Sequence, residues 1–129
     1  MKYQPDEAPS AVLALADRLV PLLIRGDHPA LAALRQQLPR ARVNQVEMTG
    51  VGFYIDFEVP ADVALTEPAN FAGGHAEIGL AGADYPAGCV LFVRNGRLAT
   101  LEGYTNADEL WPEDAVVVSV ENVVPVCPK

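Results

Sequence analysis

The sequence predicts an α+β domain in which two N-terminal helices pack on one face of a mainly antiparallel sheet of about six strands. Apolar residues recur at helical spacing over residues 10–38. From Val43 onward the period changes to alternation, the pattern of half-buried strands. Asn95–Gly96 then falls between two apolar runs, and this is the strongest short-range hairpin signal, because both turn positions need φ > 0. With 129 residues, half of them hydrophobic and a fifth charged, the chain reads as one domain with a real core. Only residues 1–9 are expected to be flexible.

The first helix is expected over residues 10–25, with Ser10 as its N-cap. Val12, Leu15, Ala16, Leu19, Val20 and Leu23 form its stripe. Pro21 cannot donate to the Asp17 carbonyl, so a kink or an early end is expected there. Asp27 is the expected cap of a second helix, with Pro29 in its first turn. Leu31, Leu34 and Leu38 are its apolar positions, and Pro39 stops it.

A hairpin follows around Thr49–Gly50. If Met48 faces Val51, then Val46 faces Phe53 and Asn44 faces Ile55. Tyr54, Asp56 and Glu58 then point to water. HAEIGLAG gives a strand with Ile78 and Leu80 inward. The Asn95–Gly96 turn pairs Arg94 with Arg97, Val93 with Leu98 and Cys89 with Glu102. Both faces of this hairpin are largely apolar, so a central, doubly covered position is expected. AVVVSVENVVPV is a valine-rich final strand of high β-propensity. As an uncovered edge it would invite aggregation, so it is expected to be central, covered, or paired in a homodimer.

Charge narrows the function. The net charge is −8, and it is unevenly spread. Residues 1–43 carry six basic and four acidic side chains, whereas residues 44–126 carry two basic and thirteen acidic ones. Such a surface repels phosphate backbones and disfavours nucleic acid, while a basic protein is a compatible partner. The start MKYQPDEAPS lacks a signal peptide's apolar core, and no apolar run approaches the ~20 residues of a membrane helix. A cytoplasmic protein, with no membrane association, is the expectation. Cys89 and Cys127 are too few for a disulfide framework and fit no zinc spacing; the first reads as a packed thiol and the second as a tail thiol.

Candidate chemistry is sparse. His75 and Glu77 would share a strand face, but no third metal ligand accompanies them, so neither a metal nor another cofactor is expected. Cys89 facing Glu102 would be a poor nucleophile, since a carboxylate raises a thiol's pKa. No P-loop, GxGxxG or GxSxG pattern is present. One candidate pocket therefore groups His75, Glu77, Cys89 and Glu102. The other candidate is the loop LEGYTNADELWPEDA, where Tyr104 and Trp111 lie among Glu102, Asp108, Glu109, Glu113 and Asp114. Aromatic anchors rimmed by carboxylates suit a basic protein partner, although Trp111 is better read as plugging the end of the core.

The segment VLFVRNGRLATLEGYTNADELWP resembles one in small bacterial proteins of unassigned function, which carry a VLFVxNGxLxxLEGYTYG hairpin and then an acidic WP element. The strand GFYIDFEVP adds to the likeness. The sequence departs from that pattern at Asn106–Ala107, where the family has an aromatic residue and a glycine. The resemblance implies a compact bacterial domain, with no catalytic residue or cofactor to carry over. Size and charge together suggest a non-enzymatic protein-binding module. An antidote or immunity protein that covers a basic toxin is the nearest analogy.

Overall fold

The computed structural model describes residues 1–125; Cys127 lies outside them. Seven strands form one antiparallel sheet: β1 (Lys2–Tyr3), β2 (Arg42–Met48), β3 (Gly52–Glu58), β4 (Phe71–Leu80), β5 (Ala87–Arg94), β6 (Arg97–Tyr104) and β7 (Val117–Val124). Their order is β1-β2-β3-β6-β5-β4-β7. Helices α1 (Ser10–Leu23) and α2 (Pro29–Gln37) lie on one face, α1 over β4 and β7 and α2 over β6. The fold is α+β, as the change of period implied. The additional strand is β1, within the segment expected to be flexible. Met1 holds it there: its ammonium donates to the Met48 carbonyl at 2.7 Å, and the Met48 amide donates back to Met1 at 2.8 Å.

All six stripe residues of α1 are buried. Pro21 stays inside the helix, which ends two residues later at Leu23. The caps differ from expectation. Ser10 is the first helical residue, and Pro9 occupies the cap with no side-chain bond to offer. In α2 the cap is His28, not Asp27: its Nδ1 accepts the Ala30 amide at 3.0 Å, with Pro29 next in line. The shift by one residue follows from that reach, since a cap accepts from the amide two or three positions on.

Two registers also differ. In the β2–β3 hairpin Met48 pairs with Phe53 and Val46 with Ile55, a shift of two residues. A shift of two preserves which side chains face inward, so Val46, Met48, Phe53 and Ile55 are buried as expected, while Val51 is left in the turn. The longer turn exposes two carbonyls to the later loop: Gly50 accepts from the Trp111 amide at 2.9 Å and Val51 from the Thr105 amide at 2.8 Å.

The β5–β6 hairpin begins as predicted, with Arg94 opposite Arg97 and Val93 opposite Leu98 around Asn95 (φ 53°) and Gly96 (φ 77°). A bulge at Ala99 then shifts the register by one, so Cys89 faces Gly103 and Glu102 faces Val90. Strict alternation would have put Leu98, Thr100 and Glu102 on the core side. The bulge instead sends Leu98, Leu101 and Gly103 inward and Glu102 outward, which avoids burying an unpaired carboxylate at a cost of several kcal/mol. Gln37 fastens the turn from the helix side. Its Nε2 donates to the carbonyls of Ala64 and Gly96 at 2.7 and 2.8 Å, and its Oε1 accepts the Leu98 amide at 3.0 Å.

The expected double cover of this hairpin is absent. The hairpin is central, but its larger apolar side chains Cys89, Leu91, Val93, Leu98 and Leu101 are buried on the helix face; on the other face Thr100 is buried while Val90 and Phe92 are partly exposed. Arg94 shields Phe92, its guanidinium lying 5.5 Å from the ring centroid. The valine-rich strand β7 is an edge, not a central strand. β4, longer than expected from the sequence, takes the place beside β5.

Candidate functional site

The uncovered face of the sheet is organised in cross-strand rows, because directly paired residues point to the same side. One row runs His75, Val90, Glu102, Tyr54, Glu47, Lys2 across six strands. A second runs Ala72, Phe92, Thr100, Asp56, Gln45, and a third Glu121, Glu77, Gly88, Tyr104, Gly52. Phe92, Val90, Tyr54 and Tyr104 therefore form an apolar and aromatic strip among carboxylates.

The polar groups of this face differ in how far they are engaged. Thr100 accepts from Arg94 Nη1 and donates to Asp56 Oδ1, both at 2.9 Å. Asn122 donates to Glu77 at 3.0 Å. Glu102 and Glu47 have no ion-pair partner: among the described residues the one salt bridge is Arg40–Asp62, elsewhere on the surface. These two carboxylates flank Tyr54. Interaction with the nearby Glu102 carboxylate, then desolvation and the charge of Glu47, hold the phenol above its ordinary pKa. Tyr104 lies across Gly88, where an added Cβ would come within 2.5 Å of its ring.

Of the loop residues predicted as a site, Glu102 and Tyr104 lie on this face, whereas Trp111, Glu109 and Glu113 are engaged in the core or in internal bonds. Trp111 is 3 % exposed and meets Phe53 edge to face, with centroids 4.9 Å apart. It plugs the core and presents no binding surface. Glu109 is used internally, accepting the amides of Asp84 and Tyr85 at 2.9 and 3.0 Å. Glu113 accepts the Tyr3 hydroxyl and so anchors β1. Asp108 and Asp114 are exposed, with no side-chain bond among the described residues. The loop is tied down by its own bonds, and its turn runs through Ala107 (φ 57°) and Asp108 (φ 56°). Ala107 thus adopts the backbone that glycine favours.

The pocket predicted from His75, Glu77, Cys89 and Glu102 does not form. His75, Glu77 and Glu102 are on the open face, while Cys89 pairs with Ala76 and Gly103 and is fully buried on the helix side. Burial pushes its thiol up to about 12, with the Glu102 charge adding to the effect. The groove between helix layer and sheet, about 230 Å³ and lined by Leu13, Val20, Leu38 and Phe57 among others, contains none of the four. No three His, Cys, Asp or Glu side chains gather to hold a metal among the described residues. No described helix is long and apolar enough to cross a membrane.

Tyr54 and Glu47 were not singled out by sequence reasoning, although their outward direction was legible from the alternation of β3 and β2 respectively. What joined them to Glu102 was the bulge at Ala99, whose signal is the Leu98-x-x-Leu101 spacing. In comparisons with known proteins, no family model, no curated protein and no solved structure matched the chain.

Proposed function

We propose that the protein is a non-enzymatic cytoplasmic binding module whose open sheet face receives a basic protein. The observation that carries this reading is the row Glu47–Tyr54–Glu102, in which an exposed aromatic ring lies between two carboxylates that have no ion-pair partner among the described residues. That arrangement offers a guanidinium or ammonium a π face and charged acceptors at once. Val90, Phe92 and Tyr104 beside it supply apolar contact, and the net charge of −8 steers a cationic partner toward it. An antidote or immunity role against a basic toxin is the form suggested by analogy of size and charge. An enzyme or small-molecule site built from His75, Glu77, Cys89 and Glu102 is not favoured, since Cys89 lies on the opposite face.

The test is affinity capture from the native host, followed by calorimetry with the purified partner. The partner should be basic, and Tyr54→Ser and Glu102→Gln should each weaken binding by about tenfold, the scale of one interface contact. Unaltered affinity in both variants would contradict the reading.

A further inference from the structure

The two edges of the sheet are unlike. One is β1, only two residues long. The other is β7, with eight residues, five of them valine, and Glu121 as its one charged side chain. Short edges, lysines and inward-pointing charges are how proteins keep edges unpaired; β7 has none of these, and its irregularities are two bulges, one opposite His75–Glu77 and one opposite Gly79–Leu80. At the second bulge Val118 is 64 % exposed, and Val116 just before the strand is 62 % exposed. On the helix side of the same edge is a groove of about 200 Å³ between α1 and β7, lined by Ala11, Ala14, Leu15, Arg18, Ala115 and Val117. Among the described residues, an unpaired strand edge and an apolar groove therefore run side by side.

We propose that this edge pairs with β7 of a second copy of the chain, antiparallel about a two-fold axis, to make one continuous sheet of fourteen strands. Self-pairing suits the edge because an antiparallel strand pair is its own symmetry mate, so one strand supplies both halves of the interface. The two-fold also places the helix layers on the same side. Each α1 then brings its Ala11–Ala14 edge toward its partner, and the grooves beside the two β7 strands close over the half-buried Val117, Val120 and Val123. An eight-residue strand is roughly 27 Å long, and two layers of about 10 Å each give on the order of 500 Å² per copy. That is the small end of specific interfaces, so association is expected in the micromolar range. Because each copy carries −8, added salt strengthens the dimer by screening repulsion.

Sedimentation equilibrium over about 5–500 µM, in reducing buffer so that Cys127 cannot cross-link, tests this directly. The wild-type chain should show a reversible monomer–dimer equilibrium that shifts toward dimer with salt. Val118→Lys and Val116→Lys, both at exposed positions, should be folded monomers by circular dichroism. Val51→Lys, at an exposed valine in the β2–β3 turn, should dimerise like wild type. Hydrogen exchange at β7 amides should slow with concentration in the wild type and in Val51→Lys only. A wild-type monomer throughout the range, or a dimer unaffected by both β7 substitutions, would overturn the proposal. These readouts need no partner protein, so they are independent of the proposed function.

Discussion

Gly103 and Gly88 lie near each other in the same hairpin, and each lets an aromatic ring pass over it, but the two differ in what a methyl group would meet. A Cβ at Gly103 would come within 2.1 Å of the Phe53 ring, which is fully buried and in contact with Trp111. A Cβ at Gly88 would strike the half-exposed far end of Tyr104, which can swing away. Gly103→Ala is therefore expected to cost about 2–3 kcal/mol through overpacking, and Gly88→Ala less than about 1 kcal/mol; urea unfolding midpoints measure both. Cys89 illustrates how little of a site can be read from residue type alone. Its thiol is pushed up to about 12 from an ordinary 9.0, so it should resist thiol reagents at neutral pH until the protein unfolds. The sign of the linkage follows. Between pH 9.0 and about 12 the unfolded chain loses this proton while the native one keeps it, so stability falls as pH rises through that window. The raised phenols of Tyr3 and Tyr54 act in the same direction. Unfolding midpoints should decline between pH 8 and 11, and Cys89→Ala should flatten the decline despite its own offset at pH 8.

Among the elements, the loop from Thr105 to Val116 is the one whose role changed most. Trp111 places its indole against Phe53 while its backbone amide binds Gly50. Trp111→Ala should cost about 3–5 kcal/mol, the usual loss for a buried aromatic, and free the β2–β3 turn to exchange its amides faster. The helices and the Asn95–Gly96 turn were legible because their signals are local: a six-residue apolar stripe, and a dipeptide that tolerates positive φ. The β2–β3 register was not, because its four-residue turn is set by bonds from residues more than fifty positions away. The Ala99 bulge lies between these cases. Leu98 and Leu101 are three apart, which alternation cannot put on one face, and that conflict is visible in the sequence once the cost of burying Glu102 is counted. The pocket of His75, Glu77, Cys89 and Glu102 rested on the unbulged register and disappears with it.

At the scale of the whole molecule, charge and architecture coincide. The helical segment, residues 1–43, is slightly basic, whereas the sheet and loops of residues 44–126 hold thirteen of the chain's carboxylates. Helices cover one face of the sheet, leaving Glu47, Asp56, Glu77 and Glu102 on the other with the tyrosines between them. Acidic residues that serve internal bonds, such as Glu109 and Glu113, are not available to a partner in the same way. This distinction separates the face from the loop experimentally. The most direct measurement is the association rate with the captured basic partner as a function of ionic strength, for two double variants. Glu47→Lys with Glu102→Lys reverses charge on the face; Asp108→Lys with Asp114→Lys makes the same net change on the loop. The face variant should associate about tenfold or more slowly at low salt and also dissociate faster, while the loop variant changes only the shallow, long-range part of the salt dependence. Slow association and fast dissociation in the loop variant, with the face variant behaving as wild type, would contradict the assignment of the open sheet face as the binding surface.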